Sequence, residues 1–109
     1  MSVEGDANVF VSKGLQQAYD AIMHRVNHLG QGCTSERNDD ESMLEIGGHM
    51  VCARRAPTGH AIIIGRDKSD TVYNYVGFGQ FRSASGEVVT DFRAVVDREI
   101  LALAEELRR

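Results

Sequence analysis

Ala61-Ile62-Ile63-Ile64-Gly65-Arg66-Asp67-Lys68-Ser69-Asp70-Thr71-Val72-Tyr73-Asn74-Tyr75-Val76-Gly77-Phe78-Gly79-Gln80-Phe81-Arg82 is the stretch that decides the fold. Ala61–Arg66 has the length and β-branched content of a short buried strand. Asp67–Asp70 reads as a turn. Thr71–Arg82, rich in Val, Tyr and Phe, reads as the longest strand. Turns this short join antiparallel neighbours. Upstream, Ala56-Pro57-Thr58-Gly59 is a turn, because Pro presets one dihedral and Gly frees another. His49–Ala56 and Met43–Ile46 read as strands, with Gly47-Gly48 between them as a tight hairpin or a bulge. Gln31–Ser42 is polar, carries Asp39-Asp40-Glu41, and reads as a loop. Downstream, Ser83–Gly86 turns the chain and Glu87–Thr90 reads as a short returning strand.

Helical patterns flank this block. Leu15, Ala18, Tyr19, Ile22, Met23, Val26 and Leu29 recur at helical spacing from Lys13 to Leu29, with Ser12 as cap and Gly30 as stop. Residues 1–8 read as a loose arm. Thr90 or Asp91 caps a second helix, whose stripe is Phe92, Val96, Ile100, Leu103 and Leu107, widened by Val95 and Leu101. The expectation is one α+β domain over residues 1–109. Its antiparallel meander of three to five strands is flanked by an N-terminal and a C-terminal helix, as a two-layer sandwich.

The chain has 109 residues, 12 Lys+Arg against 16 Asp+Glu, and a net charge of −4. Its apolar share, 42%, is that of a globular protein rather than a disordered one. The acidic balance argues against nucleic acid or an anionic membrane as partner. The longest aliphatic run, Ala61–Ile64, is far too short to span a bilayer. The opening Met1-Ser2-Val3-Glu4-Gly5-Asp6 does not read as a secretory signal, and Cys33 and Cys52 are too few for a disulfide framework, so a cytoplasmic setting is expected.

Alternation along Thr71–Arg82 puts Val72, Val76 and Phe78 on one side and Tyr73, Tyr75 and Phe81 on the other. Ile62 and Ile64 likewise oppose Ile63. Both faces of the sheet are therefore partly apolar. Either one helix packs on each face, or both share a face and a partner covers the other. The second arrangement is the expectation. The candidate protein-binding residues are Ile62, Ile64, Val72, Val76 and Phe78, or the opposite set Tyr73, Tyr75 and Phe81.

Other constellations are weaker. His24, His28, Cys33, His49 and Cys52 include pairs at zinc-like spacing, but no paired Cys-x-x-Cys accompanies them. Solvent-facing histidines and a small core cysteine explain them more simply, so no metal or other cofactor is expected. Val76–Phe81, with Val9-Phe10-Val11, resembles the aromatic strands of an RNA-recognition motif. Gln80 stands where an aromatic belongs, however, and no strand follows the last helix. Arg54-Arg55, Arg66 and Arg82 either line one region of the sheet or serve as solvated charges that discourage aggregation. No Ser, His and Asp set has a diagnostic context, and Cys33 with His28 is not distinguished from chance, so no catalytic residue is assigned and no enzyme is expected.

The pattern resembles a small class I type III secretion chaperone. The features that carry this are the opening helix at Leu15–Leu29, the entry Asn38-Asp39-Asp40-Glu41-Ser42-Met43-Leu44-Glu45-Ile46, the strands Gly48–Cys52 and Ala61–Ile64, and the closing Ile100–Arg108. The family inserts a helix between its third and fourth strands, for which Asp67–Asp70 leaves no room. The resemblance implies a homodimeric virulence-associated chaperone that holds the extended secretion segment of an effector. Strand addition and apolar pockets would supply the binding. The competing expectations are a small inhibitor or immunity-type regulator that meets a folded target through Glu36–Glu41, and a metal-binding protein.

Overall fold

The computed structural model describes residues 3–29 and 33–108; side chains are described for all of these except 3–5, 28, 29, 33, 34 and 36. The order is α1 (Val3–Leu29), β1 (Cys33–Arg37), β2 (Glu41–Ile46), β3 (His49–Arg55), β4 (Ala61–Arg66), β5 (Ser69–Gly77), β6 (Gln80–Ser83), β7 (Val88–Val89) and α2 (Phe92–Leu107). The seven strands form one antiparallel sheet in chain order. The α+β meander with a helix at each end is therefore the observed fold, with more strands than the three to five expected.

Both helices lie on the same face. α1 packs on α2 and on β1 to β5, and α2 packs on β3 and β4. Cross-strand register groups the residues beneath them. Leu44 is opposite Val51, Ala53 opposite Ile64, and Ile62 opposite Tyr73, while Tyr75 is opposite Phe81. These inner-face residues join Val11, Leu15, Ala18, Ile22, Phe92, Val96, Ile100 and Leu103 in one core. An aromatic chain runs through one end of it. Phe10 stacks on Tyr75 at 5.5 Å, Tyr75 meets Phe81 at 5.2 Å, and Phe81 meets Phe92 at 5.0 Å. Tyr73 touches Phe92 edge-on at 5.6 Å. Full burial of a ring such as Phe92 contributes roughly 1.5–3 kcal/mol.

Several sequence expectations are corrected. α1 begins at Val3, so the first residues are not all a loose arm. Ala7 and Val11 are buried and continue the stripe of Leu15, Ala18 and Ile22 toward the N-terminus. Ser12 is therefore within the helix rather than its cap, and its hydroxyl accepts a bond from Arg55 Nη2 at 3.0 Å. The stop expected at Gly30 lies outside the described residues. The polar stretch before Ser42 contains a strand, β1, that no apolar alternation announces. Asn38 closes the β1–β2 turn, its Oδ1 accepting the Asp40 N–H at 2.9 Å. Gly47-Gly48 is a hairpin turn, both residues having positive φ, +56° and +82°.

The long strand expected over Thr71–Arg82 is in fact a hairpin. Gly77, Phe78 and Gly79 have φ of +100°, +55° and +74°, which no strand accommodates. Gly77 pairs with Gln80 across the two-residue turn Phe78-Gly79, and the register slips between Tyr75 and Gly77. Asp91 caps α2, its Oδ1 accepting the Arg93 N–H at 3.0 Å. A second N-terminal donor, Phe92 N–H, reaches Gln17 Oε1 of α1 at 3.1 Å. Leu101 and Leu107 of the expected stripe are exposed, leaving Phe92, Val95, Val96, Ile100 and Leu103 as the buried face.

Candidate functional site

With both helices on one side, the other face of the sheet is not covered by any described element. Alternation assigns to it Glu41, Met43 and Glu45 of β2, Met50, Cys52 and Arg54 of β3, and Ala61, Ile63 and Gly65 of β4. Asp70, Val72 and Asn74 of β5, Arg82 of β6 and Val88 of β7 complete it. The register sets Glu41, Arg54, Ile63 and Val72 in one row across four strands. Met43, Cys52, Gly65 and Asp70 form the next row. Asn74, Arg82 and Val88 form a third on the far side of Val72. Val72 and Val76 of β5 and Val88 of β7 are 42%, 52% and 55% exposed, unusually open for strand valines.

A polar clasp crosses the middle of this face. Arg54 Nη2 reaches Asp70 Oδ2 at 2.9 Å, from β3 to β5, and Arg54 Nη1 lies 3.5 Å from Cys52 Sγ. Between them stands Gly65. A Cβ there would collide with Asp70 Oδ1 and come within 3.2 Å of Cys52 Sγ. The missing side chain is what lets the pair bridge, and Cys52 beside it is buried. The hydrogen bond to Asp70, against the cost of burial, raises the Arg54 pKa, so the guanidinium stays charged.

The β5–β6 tip is the other conspicuous feature. Phe78 is 101% exposed and has a φ of +55°, a conformation costly for a residue with a Cβ. The tip is held firmly. Gly79 N–H donates to Tyr75 Oη at 3.0 Å, and a Cβ on Gly79 would stand 3.0 Å from the Phe10 ring. Phe78 thus projects from a fixed platform.

The structure divides the first candidate set. Ile62 and Ile64 are buried beneath the helices, while Val72 and Val76 are exposed and Phe78 forms the tip. Tyr73 and Phe81 are buried, and Tyr75 is half-buried against Phe10. Ile62 pairs with Tyr73, and Ile63 with Val72, so the helix-facing group is Ile62, Ile64, Tyr73, Tyr75 and Phe81. Met43, Ile63, Val88 and Gly65 were missed as outer-face residues. Only the strand register identifies them. The four arginines do not line one region. Arg54 and Arg82 are on the outer face, and Arg55 and Arg66 on the inner. Phe78 and Phe81 share no exposed face, which removes the stacking pair of the RNA-binding reading.

The histidine and cysteine positions also separate. His49 and Cys52 are three apart on β3 and so point to opposite faces. His24 is exposed on α1, and the side chains of His28 and Cys33 lie outside those described. Among the described residues no three His, Cys, Asp or Glu side chains gather as a ligand set. His49 Nδ1 lies 2.9 Å from Asp67 Oδ2, and Asp67 Oδ1 accepts the Met50 N–H at 2.9 Å. These bonds support the positive φ of Asp67, +54°, and hold its pKa below the usual carboxylate range. Ser69 lines the same hollow without bonding to either. The groove between the helices, about 390 Å³, is lined by Asp20, His24, Arg93 and Asp97. Among the described residues, no helix is long and apolar enough to cross a membrane.

No known protein family, curated protein or solved structure matches this chain.

Proposed function

We propose that this chain is a non-enzymatic protein-binding module that holds an extended segment of a client protein across the outer face of its sheet. One observation carries the reading. Both helices share the inner face, and the outer one presents Val72, Val76 and Val88 to solvent. A one-sided antiparallel sheet ordinarily turns polar residues to water. Exposed aliphatics on β5 and β7, with Arg82 of β6 between them, are suited to burial by a partner. The resemblance to type III secretion chaperones and a cytoplasmic, cofactor-free role belong to the same proposal.

The test is co-purification from the source cell, followed by Val72→Glu together with Val76→Glu. Both sites are exposed, so circular dichroism and the melting temperature remain near those of the parent. Loss of the client from the double variant is the expected result. Retention of the client at parental yield overturns the reading.

Phe78 favours a second reading, a regulator that binds a folded target. A rigid, convex aromatic tip fits a concave pocket better than it fits an extended strand. Under that reading Phe78→Ala releases the partner and the valine substitutions do not.

A further inference from the structure

The outer face is electrically uneven, and one arginine on it stands apart. Arg54 pairs with Asp70, Arg55 with Asp40, and Arg66 with Glu99 and Glu106. Arg37 donates to Gln16 Oε1 at 2.6 Å and lies 4.5 Å over the Tyr19 ring. Arg82 is the one sheet arginine whose side chain makes no hydrogen bond or ion pair to any described residue. Phe81 and Ser83, its neighbours on β6, are buried toward the helices, so Arg82 projects outward. It is directly between Asn74 and Val88 in register. Val72 and Val76 lie two residues to either side of Asn74. A free guanidinium is thus ringed by three exposed valines.

The surrounding charges point the same way. Glu87, the nearest carboxylate along the chain, turns to the inner face and is held by Arg98 and the Tyr73 hydroxyl. Asp70 is taken by Arg54. Among the described side chains, the outer-face carboxylates with no ion pair, Glu41 and Glu45, are on β2, four strands from β6. An acidic group is repelled there and attracted at Arg82. The guanidinium fork matches a carboxylate in two parallel bonds. Covering the valines would exclude water and strengthen that pair.

We infer that the client segment carries a carboxylate, with aliphatic side chains two residues before and after it, and that this carboxylate seats on Arg82. The spacing follows from an extended segment, whose alternate side chains face the sheet. The inference rests on the protein-binding reading above.

The experiment pans a displayed library of random linear peptides against the intact chain. Enriched peptides are expected to carry Asp or Glu between aliphatics at alternating positions. Arg82→Gln is expected to weaken them about tenfold or more, and Arg82→Glu to select basic peptides instead. Enriched peptides without an acid, lost on Val72→Glu, overturn the inference and leave the sheet-face reading standing. The same holds if Arg82→Gln binds unchanged but aggregates, because Arg82 is then a gatekeeper against sheet association. Peptides indifferent to Val72→Glu, or no enrichment, overturn both. Sedimentation run alongside detects a second copy on this face. A dimer that Val72→Glu dissociates also overturns both.

Discussion

Phe78 carries a backbone conformation that nothing in its own packing explains. Two-residue hairpin turns with positive φ at both central positions favour Asn-Gly, and this one is Phe78-Gly79. A side chain with a Cβ costs about 1 kcal/mol or more in that conformation, and Asn tolerates it better. Phe78 recovers nothing by packing, since it is fully exposed. Phe78→Asn is therefore expected to stabilise the fold by about 1 kcal/mol, read as a higher urea midpoint. An unchanged or lower midpoint would show that the turn carries no strain. Asp67 has a similar φ but is supported by its bonds to Met50 and His49, and so differs in kind.

Helix α1 is the element that brings the layers together, and Gly14 sets how closely. A Cβ at Gly14 would collide with Ile62 Cδ1 of β4 and approach Phe92 Cδ2 of α2 to 2.9 Å. Both neighbours are buried and have little room to move. In an exposed helix Gly→Ala gains up to about 1 kcal/mol. Here Gly14→Ala is expected to cost about 1–3 kcal/mol by overpacking, measured by equilibrium urea unfolding. A gain would place α1 farther from the sheet than the structure does. Elements with apolar patterning were legible in the sequence: both helices, most of β2, β3, β4 and the short β7, with the α2 cap narrowed to Thr90 or Asp91. Those held by backbone pairing were not. Cys33–Arg37 has no hydrophobic alternation, so β1 reads as loop. Thr71–Arg82 has it throughout, so the reversal at Phe78-Gly79 is hidden.

At the scale of the whole molecule, carboxylates tie the parts together and set the response to acid. Asp97 of α2 accepts two bonds from Arg25 of α1, at 2.6 and 2.8 Å. That pairing holds its pKa below the ordinary 3.8. Asp67, Glu87 and Asp91 are lowered too, chiefly by bonds to His49, Arg98 and Arg93. A carboxylate depressed on folding contributes fully above its unfolded pKa and loses the contribution as pH falls through the folded value. Stability is expected to be flat near neutrality and to fall below about pH 4. Asp97→Asn is expected to make that fall shallower, followed by urea midpoints from neutral to about pH 3. An identical slope would remove Asp97 from the acid response. The distribution of apolar surface at this scale was half legible. Alternation shows that both sheet faces are partly apolar, but only register shows that Ile62 belongs with Tyr73 rather than Val72.

The chain-order sheet also has a kinetic consequence. Each strand pairs with the next, so every ladder can form as a local hairpin with little loop entropy to overcome. The helices are the exception, since Arg25 and Asp97 are 72 residues apart. During synthesis the sheet can assemble strand by strand, but α2 emerges last. Until then the inner face, with Ile62, Tyr73 and Phe81, has only α1 to cover it. The nascent chain is most prone to aggregation in that interval, when the outer face is bare and the inner face is covered by α1 alone.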